Sequence, residues 1–120
     1  MALSGLPRGG KFFGLNVVQT QPWSGTWQDE WYRDNVSEYL QPGVLRYPGG
    51  TVGNYWDWQQ GWFRNDINWS RSTVSYYKDI PRRPYKLEDF AIGLRATGAS
   101  AVLSVNMLTS NISYELAGLH

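Results

Sequence analysis

Two polar side chains stand at the ends of apolar segments, where α/β proteins place their chemistry. Arg46 follows the apolar pair Val44-Leu45, and Asn106 ends an apolar run that starts at Ala101. Active-site side chains in α/β folds lie at the carboxyl ends of parallel strands. Arg46 is therefore a candidate to hold a carboxylate or a substrate hydroxyl, and Asn106 to bind a hydroxyl-rich ligand. The plainer alternatives are an arginine that points to solvent and an asparagine that completes a turn.

A glycine-rich and aromatic stretch follows Arg46. It places the flat rings of Tyr55, Trp56 and Trp58 beside the polar residues Asn54 and Asp57. Sugars stack their C–H faces on aromatic rings and offer hydroxyls to amides and carboxylates, so this mixture favours a carbohydrate site. The alternative is that these rings anchor a long loop onto the rest of the protein. Nucleic-acid bases also stack on aromatic rings, but the balanced charge of the chain argues against that partner.

The carboxylates of the chain do not form a convincing catalytic pair. Glycoside hydrolysis uses two carboxyl groups that flank the scissile bond, about 5 Å apart in retaining enzymes. Asp57 and Glu115 are the candidates near the aromatic stretch, whereas the other acidic groups considered lie on predicted helices. Neither a Gly-x-Gly-x-x-Gly motif after the first strand nor a phosphate-binding Lys-Ser/Thr pair occurs, which argues against nucleotide binding.

Composition excludes several further classes of function. The net charge is +1, cysteine is absent, and the single histidine is the last residue, His120. These facts exclude disulfides, thiolate metal sites and metal sites built from several imidazoles, and they give no long-range attraction to nucleic acid. No segment approaches ~18 consecutive apolar residues, and residues 1–20 lack the pattern of a signal peptide. We therefore expect a soluble protein without metal, cofactor, nucleic-acid partner or membrane partner, and the composition indicates no particular compartment.

Apolar periodicity predicts alternating strands and helices. Apolar runs with β-branched residues predict strands, and apolar residues three to four positions apart predict helices. The predicted strands are residues 11–18, 44–47 and 101–106, and the predicted helices are residues 26–40, 86–97 and 111–120. In the first helix the expected apolar stripe is Tyr32, Val36, Tyr39 and Leu40. The third strand has the continuous apolar composition of a strand that is buried in a parallel sheet.

This order predicts a single α/β domain over residues 1–120, with a parallel sheet and right-handed crossovers. The chain is shorter than the roughly 200 residues that a complete eight-stranded α/β barrel requires. Residues 48–85 connect the second strand to the next helix. This connection is far longer than a usual strand-to-helix loop, which has roughly two to six residues. Its aromatic content argues against disorder, because disordered segments are poor in aromatic residues. We therefore expect this loop to be functional.

The segment Val44-Leu45-Arg46-Tyr47-Pro48-Gly49-Gly50, followed by Tyr55-Trp56-Asp57-Trp58, resembles the second-strand region of α-L-arabinofuranosidases. These enzymes belong to the large clan A of retaining glycoside hydrolases with a TIM barrel. The helix and third strand that follow in that group are similar to three later segments of this chain: Leu87-Glu88-Asp89-Phe90, Gly98-Ala99 and Val105-Asn106. The resemblance covers roughly residues 12–120 and implies a partial TIM barrel of the form βαβαβ(α), made of the first three βα units.

The resemblance also implies roles for single residues. Arg46 corresponds to the strand-end arginine that supports the catalytic carboxylates, and Asn106 to a polar residue on the substrate side of the third strand. In that group the acid/base glutamate follows an asparagine at the end of the fourth strand, and the nucleophile comes from the seventh. No Asn-Glu pair occurs in this chain. We therefore expect a fragment or truncated relative that carries part of a carbohydrate-binding cleft and is inactive alone as a glycosidase.

Two other classes of function stay open at this point. A non-catalytic carbohydrate-binding module would have a closed antiparallel architecture with little helix, and a protein-interaction domain would use the aromatic loop for a partner. A three-stranded parallel sheet in chain order leaves both of its edges unpaired. We therefore also expect a homo-oligomer that forms through the exposed sheet edges.

Overall fold

The computed structural model describes residues 13–16 and 25–119, which form a small α/β fold. In chain order its helices and strands are β1 (Gly14–Asn16), α1 (Glu30–Asn35), β2 (Val44–Tyr47), β3 (Trp56–Asp57), β4 (Trp62–Phe63), α2 (Leu87–Thr97), β5 (Ser100–Leu103) and α3 (Ile112–Ala117). The predicted alternation of strands and helices is confirmed over these residues. Positions 11, 12, 17 and 18 of the predicted first strand lie outside the described residues.

Strands β1, β2 and β5 form one parallel sheet with β2 in the centre. Leu15 lies opposite Leu45, and Leu45 lies opposite Ala101. The predicted strand order is therefore correct. The structure therefore has a parallel sheet with helices rather than the closed antiparallel architecture expected of a carbohydrate-binding module.

The two faces of β2 have different surroundings because successive side chains of a strand point to opposite faces. Leu45 and Tyr47 are buried on the side of the sheet that α2 covers, and the ring of Phe90 lies 5.3 Å from the ring of Tyr47. Arg46 is exposed on the opposite face. The core of the described residues therefore lies between the sheet and the helix layer.

Strand β5 differs from its prediction. Its continuous apolar run predicts a buried strand, but all four of its residues are exposed. The reason is its position: β5 pairs with β2 on one side and forms the edge of the described sheet on the other. Side chains that suit a buried strand are therefore left in contact with solvent.

The first helix is shorter than predicted and changes its winding. It begins at Glu30 because the carboxylate of Asp29 caps it, accepting a hydrogen bond from the backbone N–H of Tyr32 at 3.4 Å. After Asn35 the chain continues as a π-helical segment over Val36–Leu40. This wider turn shifts the later side chains around the axis, so Tyr39 is 74% exposed and only Val36 of the expected stripe is buried.

The second and third helices follow their sequence signals. The Asp89 carboxylate accepts a hydrogen bond from the backbone N–H of Lys86 at 3.0 Å, and Gly98 ends α2 with a φ of 67° in the left-handed region. In α3, the Asn111 side chain accepts from the backbone N–H of Tyr114 at 3.0 Å. The helix predicted over residues 86–97 is thus confirmed to within one residue. The helix predicted over residues 111–120 is confirmed over Ile112–Ala117, and position 120 lies outside the described residues.

The long loop over residues 48–85 is ordered by its own aromatic side chains. It contains three 3₁₀-helical segments, Thr51–Tyr55, Trp69–Arg71 and Ser75–Asp79, and the hairpin of β3 and β4. Its buried aromatic residues are Tyr55, Trp56, Trp62, Phe63, Tyr77 and Tyr85. The rings of Trp56 and Phe63 meet edge to face at 5.5 Å, and the rings of Phe63 and Tyr77 lie 4.7 Å apart. Much of the aromatic content of the loop therefore builds the core.

Helix α2 approaches the chain before α1 so closely that one glycine is required. Trp27 is fully buried, and a Cβ atom at Gly93 would overlap its indole ring. The indole Nε1 donates to the Tyr85 hydroxyl at 3.1 Å, which fixes the ring in place. The absence of a side chain at position 93 thus allows α2 to pack against Trp27.

Substituting Gly93→Ala is expected to lower the free energy of unfolding by about 2 kcal/mol, because overpacking of the Trp27 site outweighs the better helix propensity of alanine. Urea denaturation followed by circular dichroism measures this change. Ala96→Gly, at an exposed position of the same helix, is the control and should lose about 1 kcal/mol from propensity alone. A Gly93→Ala variant more stable than the parent chain would contradict the packing of α2 on Trp27.

Candidate functional site

Arg46 lies near the carboxyl end of the central strand, as expected. Its guanidinium Nε donates to the Ser104 hydroxyl at 2.8 Å, and its neighbours in the sheet register are Asn16 and Val102. Among the described residues the one ion pair joins Arg64 to Asp66, so Arg46 has no carboxylate partner there. With respect to the described residues, the remaining guanidinium donors of this exposed side chain are available to bind an anion or a hydroxyl.

Asn106 is a buried link between two loops. The residue is 1% exposed, and its amide donates to the Trp56 carbonyl at 2.9 Å and to the Thr109 hydroxyl at 2.8 Å. Its side-chain oxygen accepts from the backbone N–H of Thr109 at 3.0 Å. The amide of Asn106 therefore forms its hydrogen bonds within the chain, as expected of an asparagine that completes a turn.

The predicted aromatic group divides into buried and accessible members. Tyr55 and Trp56 are buried, and the Trp56 indole donates to the Tyr47 hydroxyl at 2.9 Å. Asn54 is exposed, and its carbonyl accepts a hydrogen bond from Thr109. Trp58 is half-buried, so it is the aromatic member of this group that retains accessible ring surface.

Asp57 and Trp58 both contact Tyr114 of α3, which is 57 and 56 positions away in the sequence. The Tyr114 hydroxyl donates to the Asp57 carboxylate at 2.6 Å, and the Trp58 indole donates to the Tyr114 carbonyl at 3.2 Å. The rings of Trp58 and Tyr114 lie 5.6 Å apart. The hairpin after β2 and the helix after β5 therefore share one surface.

A polar depression opens at this junction. The second oxygen of Asp57 accepts from the Gln60 amide at 2.8 Å, and Arg64 holds Asp66 through two hydrogen bonds of 3.0 Å. The depression has a volume of about 340 Å³. We call it the Asp57 depression; its lining residues are Asp57, Gln60, Arg64, Asn65, Asp66, Asn111 and Tyr114.

Both carboxylates of the Asp57 depression are held ionised. Partial burial raises the pKa of Asp57, but hydrogen bonds from Tyr114, Gln60 and Gln59 outweigh that effect, and the net shift is downward. The hydrogen bond from Arg64 lowers the pKa of Asp66. Desolvation and the hydrogen bond to Asp57 raise the pKa of Tyr114, which stays protonated as a donor at neutral pH. The depression thus offers fixed acceptors and donors to hydroxyl groups.

Glu115, the other carboxylate expected near the site, is a buried residue of α3. One of its oxygens accepts from the backbone N–H of Asn106 at 3.1 Å. Its Oε1 atom has no hydrogen-bond partner among the described residues. Glu115 does not line the Asp57 depression, so the structure does not bring the two candidate carboxylates together there.

The sequence prediction missed Arg64 and Tyr114 as site residues. Arg64 had one usable signal, which is its spacing of two residues from Asp66. Tyr114 had none, because its partner Asp57 is distant in sequence and the contact depends on the packing of α3 against the hairpin.

The described residues contain neither a metal-binding cluster nor a membrane-spanning helix. No cluster of three or more potential metal ligands occurs in residues 13–16 and 25–119. Within the same ranges, the helices fall short of the length and apolar character needed to cross a membrane.

Comparison with known proteins gives no relative. No protein-family model, no curated protein and no solved structure matches the chain. The class that the structure itself defines is a small α/β protein with a three-stranded parallel sheet.

The hydrogen bond between Tyr114 and Asp57 should stabilise the fold in a pH-dependent way. Because folding lowers the pKa of Asp57, its contribution is present above the unfolded-state pKa of about 3.9 and is lost as pH falls through the lower folded-state value. Tyr114→Phe should therefore cost about 1 kcal/mol between roughly pH 5 and pH 8, and the cost should shrink below about pH 4.

Chemical denaturation at a series of pH values measures this difference. Tyr39→Phe is the matched control, because Tyr39 is strongly exposed, and it should leave stability unchanged. A cost for Tyr114→Phe that is the same at acidic and neutral pH would contradict the assignment of Asp57 as the acceptor.

Proposed function

We propose that this chain binds a carbohydrate in the Asp57 depression, as part of the sugar cleft of a glycosidase-type α/β barrel. The observation that carries the proposal is the combination of ionised Asp57, the Gln60 amide and the ring and hydroxyl of Tyr114 in one depression. The ring of Trp58 packs on that of Tyr114 at 5.6 Å but does not itself line the depression. Planar hydrogen-bonding groups next to an aromatic face match the hydroxyls and the C–H face of a sugar ring.

The position of the depression supports this proposal. The hairpin that carries Asp57 follows β2, and α3, which carries Tyr114, follows β5. Both segments lie beyond the carboxyl ends of parallel strands, the edge at which α/β barrels place their ligand sites. Arg46 lies near the end of the same strand on the exposed sheet face, but it does not line the depression.

The arrangement of β1, α1, β2, α2, β5 and α3 is that of three consecutive βα units. We propose that these units have the layout of part of a TIM barrel. The exposed face of β2 that carries Arg46 then corresponds to the inner face of the barrel, and the layer of α1 and α2 to its outside. The resemblance of the Arg46-Tyr47-Pro48-Gly49-Gly50 segment to arabinofuranosidases supports this layout.

We propose binding without hydrolysis, for an electrostatic reason. A glycosidase needs one carboxyl group with a raised pKa, protonated at neutral pH, to act as general acid. Asp57 and Asp66 both have lowered pKa values and are anions at neutral pH. The Asp57 depression therefore lacks a general acid for the leaving group.

Arabinofuranose oligosaccharides are expected to quench the tryptophan fluorescence of the chain, whereas matched peptides are not. Trp58→Ala should weaken binding by about threefold to tenfold, because Tyr114, which lines the depression, loses the ring and the indole donor that hold it in place. Trp31→Ala is the matched control, since Trp31 is a 72% exposed tryptophan on α1 and should leave the affinity unchanged.

Gln60→Ala tests the same site without removing a ring. Loss of one hydrogen-bonding amide should weaken binding by about threefold to tenfold, corresponding to about 1 kcal/mol. Equal affinities for the parent, Trp58→Ala and Gln60→Ala chains would refute binding in the Asp57 depression, as would quenching by peptides alone.

No release of aryl alcohol is expected when the purified chain is incubated with aryl arabinofuranosides. Release of chromophore that is lost in Arg46→Ala, and retained in the distant variant Trp31→Ala, would show that this chain contains catalytic groups and would overturn the proposal of binding without hydrolysis.

A further inference from the structure

The Asp57 carboxylate is held by neutral donors among the described residues. Its Oδ1 atom accepts from the Tyr114 hydroxyl at 2.6 Å and from the backbone N–H groups of Gln59 and Gln60 at 2.9 and 3.3 Å. Its Oδ2 atom accepts from the side-chain amide of Gln60 at 2.8 Å. Hydrogen bonds of this kind stabilise the charged form of a carboxylate without adding a positive charge beside it. The negative charge of Asp57 is therefore stabilised but not neutralised.

The guanidinium groups near the Asp57 depression have other partners. Arg64 holds both oxygens of Asp66 through hydrogen bonds of 3.0 Å, and this is the one ion pair among the described residues. Arg82 donates to the side-chain carbonyl of Gln60 at 3.2 Å, which keeps the amide NH₂ group directed at Asp57. Arg82 is exposed and does not line the depression, so solvent screens its charge. Among the charges that line the depression, Asp57 is thus the one without a counter-charge.

The Oδ2 atom of Asp57 can accept a further hydrogen bond. Each oxygen of an ionised carboxylate has about two acceptor sites, and Oδ2 has one donor in the described structure, whereas Oδ1 has three. The ring of Tyr114 lines the same depression, and the face of an aromatic ring attracts a cation. An ammonium group at Oδ2 would gain Coulomb attraction in addition to a hydrogen bond, while a second carboxylate would be repelled.

We infer that the ligand of the Asp57 depression is an amino sugar, whose protonated amino group donates to the Oδ2 atom of Asp57. This assignment rests on the carbohydrate binding proposed above and names the class of sugar. The ammonium group supplies the positive charge that the depression lacks. A neutral sugar binds more weakly because it leaves that charge uncompensated, and a uronic acid is disfavoured because its carboxylate lies beside another anion.

Two tetrasaccharides that differ in charge test this preference by isothermal titration calorimetry. The β-1,4-linked tetramers of glucosamine and of glucose carry an amino group and a hydroxyl, respectively, at the same ring carbon. At about pH 5.5 amino groups are protonated and Asp57 is ionised, so the glucosamine tetramer should bind at least about tenfold more tightly. Asp57→Asn should reduce this preference to less than about twofold. Asp34→Asn, at an exposed position of α1, is the matched control and should keep the preference.

A change of pH repeats the test without a substitution, in case Asp57→Asn does not fold. At about pH 9 the amino groups lose their protons while Asp57 stays ionised, so the preference of the parent chain should fall below about twofold. Equal binding of the two tetramers at the acidic pH would overturn the amino-sugar assignment. A preference that persists at the alkaline pH, or in Asp57→Asn, would overturn it as well.

Further outcomes separate this assignment from the proposed function. A parent chain that binds arabinofuranose oligosaccharides but neither tetramer, or that prefers the glucose tetramer, would overturn the amino-sugar assignment and leave carbohydrate binding standing. A parent chain that binds none of these sugars would overturn both.

Discussion

The buried side chain of Tyr47 holds the described structure together. Its hydroxyl donates to the Tyr85 carbonyl at 2.8 Å and accepts from the Trp56 indole at 2.9 Å, while its ring packs against Phe90. One residue of the central strand thereby contacts the hairpin, the end of the long loop and helix α2. Burial of its hydroxyl is favourable only because both hydrogen bonds are made, so these three segments are positioned together.

Many of the described aromatic side chains are buried in this core. A long loop without regular strands or helices has many backbone groups to satisfy and much surface to bury, and large aromatic rings supply that surface in few residues. Tyr55 and Trp56 are buried. Their sequence context alone is compatible with ligand binding as well as with a place in the core. As a result, of the three rings predicted to bind a ligand, Tyr55, Trp56 and Trp58, only Trp58 keeps accessible surface.

The segments after β2 and β5 are joined by one buried and one partly buried polar contact. Asn106 donates to the Trp56 carbonyl, and Tyr114 donates to Asp57, so each contact links the segment after β5 to the segment after β2. The candidate site exists only because these links hold a hairpin against a helix. Its polar groups are therefore oriented before any ligand arrives, which reduces the entropy that binding would otherwise cost.

Local sequence signals are sufficient to predict the α/β class, the three parallel strands in chain order, and helix ends that depend on nearby residues, such as Gly98. These features follow from periodicity and from backbone preferences that act within a few residues. Long-range packing is what makes β5 the exposed edge of the described sheet and brings Asp57 to Tyr114. Burial and hydrogen-bond partners depend on which distant segments of the chain pack together. The local sequence pattern of an apolar run is the same whether the strand is buried or exposed, and that of an aspartate is the same whether or not it has a distant partner.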